Sequence, residues 1–504
     1  MKASVLFIPG LVVICFLMFS SCIKSSNTVS ADDADDNDGI PGQTILQAQV
    51  FEPINLAQYN FNDTSRADWS ISGQKNLIVT LDSNFIVNIE TPSEHWTGSD
   101  TLQFFLQQGA NEASFSAVFK VKAVVILVSM DGFRWDYCSK TETNSLDELA
   151  AGGVKAESLI PVYPSRTFPN HLSIVTGLYP ENHGIISNRM YDAEWDAWYY
   201  IGEGSVPVRE SRWYEGEPIW VTAEKQGVKA AIYFWPGSEA EFDGVQASHW
   251  YYYRGSVPNH SRVDQIHEWL DLPDGEQPGF LAFYFSDTDT WGHEFGPDSD
   301  DLLPIIEKLD DDIGYFMDGL KQRDIFNNVN ILVTSDHGMT AVDPDSIIFL
   351  EDYINLDDVR LIEWNTSAMM NPHEGKENIV YNQLKDKHDK MHVYRRNEMP
   401  EHLHYRNHRR IPSIIAMADP GWIITTREFY NRQPSRYTGG LHGYTPDCKE
   451  MHGIFFARGP SFENGITAAP FQNIQIYNII ADILGIEPVS NDGDFEAVNH
   501  ILVQ

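Results

Sequence analysis

The sequence predicts an α/β protein, a largely parallel sheet flanked by helices, preceded by a small all-β sandwich. Two observations carry that prediction. Residues 43–122 alternate apolar and polar with period two, as strands do when one face meets a core and the other meets water. After Lys122 the alternation stops, and unbroken apolar runs appear with helix-like segments between them. Runs of that kind are strands buried on both faces, and in alternation with helices they build a parallel sheet covered on both sides.

The β part rests on the runs 77–81, 85–89, 101–105 and 117–121, separated by turn formers such as Ser72-Gly73-Gln74-Lys75. Short strands at this spacing predict an antiparallel sandwich. In the second part, residues 123–504, the strand runs are 124–128, 231–234, 280–285, 329–333, 422–425 and 454–457, and residues 300–320 have helical spacing. Ligands of such sheets bind beyond the carboxyl ends of the strands, so the polar residues that follow these runs carry the chemistry.

Composition agrees with a folded chain of two to three units at about 150 residues each. Hydrophobic residues make up 42% of the 504, with 13 Trp, 22 Tyr and 27 Phe, which excludes a mostly disordered protein. Against 72 Asp and Glu stand 35 Lys and Arg, a formal charge of −37. A field of that sign repels a phosphate backbone and argues against a nucleic-acid duplex as partner. It leaves a small phosphate ester open, provided metal ions reverse the sign locally. Four Cys form neither a disulfide scaffold nor a paired CxxC zinc site.

Residues 1–21 read as a signal peptide, with Lys2 before an apolar core. The end of that run, Phe19-Ser20-Ser21-Cys22, resembles a bacterial lipoprotein signal with Cys22 as the lipidated residue; plain secretion is the alternative. Residues 22–42 are Ser-, Asp- and Gly-rich, an acidic tether. The expectation is an exported, envelope-located protein, anchored to a membrane through Cys22. Cys138 and Cys448 then remain, and their pairing is left open.

Four segments hold candidate metal ligands, and two more hold further candidate site residues. Asp131, in Met130-Asp131-Gly132 after the first strand, is either a metal ligand or the start of a turn. Asp289 and His293 follow the 280–285 run with the spacing Asp-x-x-x-His, within reach of one metal ion. Asp336 and His337 follow the 329–333 run, before a bend at Gly338, and His442 lies among Gly439, Gly440 and Gly443. Carboxylate with imidazole suits Zn²⁺, and six such ligands suffice for two ions. Thr167, in Arg166-Thr167-Phe168-Pro169-Asn170-His171, stands where a helix begins, either as a nucleophile favoured by free N–H groups or as an ordinary cap. Asn188 by itself reads as a turn former. His373, His388, His392, His402, His404 and His408 lie in a polar, Arg-rich stretch without ligand spacing, a surface insertion with no assigned role.

Together, Asp131-Gly132-Phe133-Arg134, Thr167-Phe168-Pro169-Asn170-His171, Thr176-Gly177-Leu178-Tyr179-Pro180-Glu181, His183-Gly184-Ile185-Ile186, Gly292-His293, Ser335-Asp336-His337-Gly338-Met339 and His442-Gly443-Tyr444 resemble the nucleotide pyrophosphatase/phosphodiesterase family of the alkaline phosphatase superfamily. The resemblance implies an alkaline-phosphatase-like fold over roughly residues 123–490 and two Zn²⁺ per chain. It implies that Asp289, His293 and His442 hold one zinc, and that Asp131, Asp336 and His337 hold the other together with the nucleophile Thr167. Asn188 then donates its amide to a phosphoryl oxygen. Phe168 and Tyr253 stack a nucleobase, with Tyr251 as the alternative to Tyr253 and a plain core role as the alternative to both tyrosines. Arg166 replaces a Lys common in the family, and Ser286-Asp287-Thr288 departs from its usual Glu-Glu-Pro. The implied enzyme is a two-zinc hydrolase of nucleotide phosphodiester or phosphoanhydride bonds, working through a phosphothreonine. A phosphomonoesterase or lipid-headgroup phosphodiesterase on the same scaffold is the runner-up, and a non-catalytic surface-binding lipoprotein is the reading from another class. The β part resembles cadherin-like or immunoglobulin-like spacer domains through Trp96-Thr97-Gly98-Ser99 and the strand that follows.

Overall fold

The computed structural model describes residues 39–273 and 275–503. The signal segment, Cys22 and nearly all of the tether lie outside the described residues.

An eight-stranded sheet is built from β1 (Val125–Met130), β2 (Val154–Ala156), β3 (Ala230–Tyr233), β4 (His249–Tyr251), β5 (Phe280–Phe285), β6 (Asn330–Thr334), β7 (Phe455–Arg458) and β8 (Ile466–Ala468). Its strand order is β4-β3-β5-β1-β6-β7-β2-β8. From β4 to β6 every pair is parallel, whereas β7 runs antiparallel to both its neighbours. Alternate residues of one strand enter opposite cores. Val125 and Leu127 join one cluster, and Ile126 and Val128 join the other. This is why the strand reads as an unbroken apolar run instead of an alternating one.

Helices α1 (Thr167–Thr176) and α5 (Gln475–Leu484) cover one face, and α2 (Asn259–Leu270) and α4 (Leu303–Gln322) cover the other, while α3 (Asp287–Phe295) caps the end of β5. Helix α4 turns Ile306, Leu309, Ile313, Phe316, Met317 and Leu320 inward, the stripe its spacing predicts. It begins at Leu303, after a 3-10 turn over Asp300–Leu302, with Pro304 in its first turn.

Residues 43–122 form a four-stranded sheet and a three-stranded sheet with a core of their own around Leu56, Val87, Leu102, Phe104 and Phe119. One pair departs from the antiparallel expectation, because Gln43–Leu46 runs parallel to Asn111–Lys122. The Gln47 side chain accepts from Asn330 Nδ2 at 2.7 Å, at the amino end of β6. The β part therefore docks at the end of the large sheet remote from Asp336.

Two further expectations fail. The run at 422–425 is not a strand of the main sheet, since Ile423–Thr425 pairs with Ile347–Phe349. It belongs to an accessory unit whose four-stranded sheet contains Val359–Glu363, Ser367–Pro372, Ile414–Ala418 and Met391–Arg395. A short apolar run signals burial without saying in which core. The His- and Arg-rich stretch is also more than a surface insertion. His408 and Arg410 are buried, and Arg410 Nε and Arg409 Nη2 reach Asp192 at 2.9 and 2.7 Å, which clamps this unit to the large domain. Cys138 and Cys448 are both free thiols. Among the described residues no helix is long and apolar enough to cross a membrane.

Candidate active site

The three central strands β5, β1 and β6 end level with one another, with Phe285 paired to Met130 and Thr334 to Ser129. Whatever follows them must therefore converge. Asp131 comes directly after β1, Asp336 and His337 lie two and three residues beyond β6, and Asp289 stands in the first turn of α3. The turn after Asp131 needs Gly132, whose φ is +68° and where a Cβ would lie 2.9 Å from the Asp289 Cα. His293 is one helical turn beyond Asp289, so the Asp-x-x-x-His spacing puts both on one face of α3. His442 arrives from a distant loop. Its preceding strand, Gly440–Leu441, pairs with Thr340–Ala341, just beyond His337.

These six side chains sort into two groups. Ligand atoms of Asp131, Asp336 and His337 lie within 4.8 Å of one another, and so do those of Asp289, His293 and His442. In the first group His337 Nε2 is 3.1 Å from Asp336 Oδ2 and 3.5 Å from Asp131 Oδ1. In the second, Asp289 Oδ1 is 3.4 Å from both His293 Nε2 and His442 Nε2. The groups touch where the His337 and His442 rings stack, with centroids 3.6 Å apart.

A metal ion fits the donors as they stand. Asp131 Oδ1, Asp289 Oδ1 and Asp336 Oδ2 are buried without a hydrogen-bond partner, a costly arrangement unless a cation meets them. Each histidine donates its Nδ1–H to a backbone carbonyl: His293 to Gly440, His337 to Gly338 and His442 to Ser165. In the neutral rings of His337 and His442 that fixes the tautomer and leaves Nε2 as a lone-pair donor facing a carboxylate. Burial, then the neighbouring carboxylates, pushes Asp131 well above the usual carboxylate range, and burial does the same to Asp336. Burial also pulls His337 and His442 well below the usual imidazole range, so both stay neutral, as metal ligands must be.

Thr167 opens α1, following an extended Arg166. It and Phe168 are half-buried, while Ser165, Arg166, Pro169, Asn170 and His171 are all buried. Thr167 Oγ1 lies 3.5 Å from His337 Nε2, against the buried group. Asn188 is half-buried, and its Oδ1 accepts from the Phe168 N–H at 3.0 Å. That contact spends the oxygen and leaves the amide N–H groups beside Thr167 to donate elsewhere. Tyr253 is half-buried rather than core; it packs edge-on against Phe234 and Tyr284, with centroids 5.4 and 6.2 Å away, whereas Tyr251 is exposed. Among the described residues Phe168 and Tyr253 make no ring contact with one another.

Sequence reasoning missed three residues. His171 donates Nδ1–H to the Thr167 carbonyl at 2.8 Å and lies 3.3 Å from Asp336 Oδ2, while Ser129 Oγ meets its Nε2 at 2.8 Å. Its place one helical turn after Thr167 was a readable signal. Tyr284 donates its hydroxyl to Asp131 Oδ2 from the end of β5. Glu363, from the accessory sheet, faces Arg166 and Ser187, and nothing local in its sequence points there.

Residues 125–445 match the family described as type I phosphodiesterase / nucleotide pyrophosphatase. The chain belongs to that family. Among its relatives, ectonucleotide pyrophosphatase/phosphodiesterase family member 3 of Rattus norvegicus is 37% identical over 75% of this chain and 44% of its own length. Venom phosphodiesterase of Naja atra is 36% identical over 75% of this chain and 46% of its own length. The chain thus spans a little under half the length of these curated relatives. Among solved structures, murine ectonucleotide pyrophosphatase/phosphodiesterase 5 superposes with a TM-score of 0.72 at 33% identity, over 75% of this chain and all of that one. An inactive threonine-to-alanine variant of the same murine protein, in complex with AMP, matches at 32% identity with the same TM-score, over 76% of this chain and all of that one. The family fold accounts for the large domain.

Proposed function

We propose that the chain is a two-zinc hydrolase that cleaves phosphodiester or phosphoanhydride bonds of nucleotides through a phosphothreonine on Thr167. The observation that carries this reading is the pair of Asp/His groups, with three unpartnered carboxylate oxygens, beside a half-open hydroxyl at a helix N-terminus. Asp131, Asp336 and His337, with Thr167, hold one zinc, and Asp289, His293 and His442 hold the other. Zinc bound there supplies Lewis-acid charge that lowers the pKa of an adjacent hydroxyl and offsets negative charge on the phosphoryl group.

The chain does the rest. Thr167 Oγ1, having given up its proton, attacks phosphorus in line, forming the P–Oγ1 bond as the bond to the leaving oxygen breaks and that oxygen takes up a proton. Water then cleaves the phosphothreonine and restores the hydroxyl. Asn188, its oxygen held by the Phe168 N–H, turns its amide toward a non-bridging oxygen. Phe168 and Tyr253 bracket a base, a contact worth about 1–3 kcal/mol and tolerant of base identity. The AMP bound to the murine relative supports a nucleotide as the substrate class. We place the enzyme outside the cytoplasm, anchored through Cys22.

The test is hydrolysis of p-nitrophenyl-TMP, p-nitrophenyl phosphate and ATP by the purified, zinc-loaded protein. The expected result is strong preference for the diester, with AMP and pyrophosphate released from ATP. Preference for the monoester keeps the threonine chemistry and overturns the substrate class. Less than about one tightly bound zinc per chain overturns the metal assignment.

A further inference from the structure

Asn188 is effective only if its amide is held against the phosphoryl group to within a fraction of an ångström. Its own Oδ1 bond to Phe168 fixes the side chain, but the Ser187-Asn188 backbone belongs to the loop between the short helix Pro180–His183 and the Arg189–Asp192 strand. Both flanking residues are tied to the same piece of the accessory sheet. Ser187 Oγ donates to Glu363 Oε2 at 2.9 Å. Arg189 lies between two indoles, with its guanidinium carbon 4.1 Å from the Trp198 centroid and 5.2 Å from that of Trp364, and it donates to the Ile362 carbonyl. Trp364 is backed in turn by Phe429, stacked at 3.8 Å and nearly parallel.

Glu363 is the centre of this clamp. It is buried, and the oxygen that takes the Ser187 hydroxyl also faces Arg166 Nη1 at 3.6 Å. Its other oxygen accepts from the Trp364 N–H at 3.2 Å. Arg166 immediately precedes Thr167, and Ser187 immediately precedes Asn188. One carboxylate from a separate sheet therefore grips the two loops that carry the nucleophile and the phosphoryl donor. A buried ion pair costs desolvation and earns little stability by itself, so its value lies in the geometry that it fixes.

On the reading proposed above, we infer that Glu363 is a positioning residue that sets the register of Thr167 against Asn188. The rate consequence follows from orientation: displacing a reacting group by about 1 Å costs on the order of 100-fold.

The experiment compares wild type with Glu363→Gln, which keeps the shape and removes the charge, and with Ser187→Ala, which removes the other arm. Substrates are p-nitrophenyl-TMP and the two phosphorothioate diastereomers of the same ester. The expected result is a fall in kcat of about 10- to 100-fold in both variants, with KM changed by less than about threefold, and with zinc content and melting temperature kept. The preference between diastereomers, which reports the donor's contact with one non-bridging oxygen, should shrink in both. Wild-type kcat and diastereomer preference in either variant overturn the inference. So does a loss of activity that merely follows lost zinc or a lowered melting temperature, since that makes Glu363 a packing residue. Wild-type protein that cleaves none of these esters overturns the underlying reading instead.

Discussion

The two Asp/His groups differ in how they meet water. The side chains of Asp131, Asp336 and His337 are 2%, 0% and 0% exposed, whereas those of Asp289, His293 and His442 are 21%, 36% and 9% exposed. The closed group forms under α1, where two strands end side by side. The open group is assembled from a helix and a loop well over a hundred residues away in sequence. Protonation follows the same division. Burial lifts both carboxylates of the closed group, but Asp289, although burial acts on it too, is held below the usual range by His293 and His442. His293, despite burial, is lifted by Asp289 to about 9. The difference teaches that one fold builds two unlike groups from the same residue types: a walled one beside Thr167 and one that is open to water.

The largest expected effect removes the proposed nucleophile, which lies beside the closed group. Thr167→Ala should lower kcat by about 10⁴-fold or more while both zinc ions stay, measured by steady-state kinetics alongside elemental analysis. Turnover at the wild-type rate would mean that the closed group does not serve Thr167. Next is Asn188→Ala, which deletes the proposed oxyanion donor and should cost about 100-fold in kcat, or about 3 kcal/mol, with little change in KM.

Chelation tests the comparison directly. Competition with a chelator should strip zinc in two steps separated by at least about tenfold in chelator concentration, because a cation in the closed group is shielded from water and from the competitor. The first step should vanish in His293→Ala and persist in Glu363→Gln; a single step in wild type would erase the distinction.

The smallest effect lies in the support of the closed group. His183 is buried beneath α1, where Nε2–H donates to the Pro169 carbonyl and Nδ1 accepts from the Ile185 N–H. Burial, ahead of any partner, pushes it down to about 3. Below an unfolded value near 6.5 the unfolded chain takes up a proton that the native state refuses, so stability is lost as pH falls. The slope from this residue is about 1.4 kcal/mol per pH unit until the native imidazole itself titrates. Urea unfolding at pH 7 and pH 5 should show a loss about 2 kcal/mol smaller in His183→Gln than in wild type.

Much of this was legible in the sequence because it is local. Period-two alternation and unbroken apolar runs are written in consecutive residues, and so are Asp289 with His293 and Asp336 with His337. The run at 422–425 misled for the same reason: it records burial and says nothing of which sheet it joins. His171 was readable as a helical neighbour of Thr167. Glu363 was not, since its partners Arg166 and Ser187 lie 197 and 176 positions away in sequence.

The sequence by itself determined the strand and helix types, the identity of the candidate ligands and the fact that glycines flank them, because each follows from side-chain chemistry and short-range periodicity. Only the tertiary structure decided that the ligands divide into a closed and an open group, that the β part docks away from the site, and that the accessory sheet grips the loops around Thr167 and Asn188. Those depend on strand order and on contacts between remote segments, which the packing of two cores against one sheet fixes and no local pattern encodes.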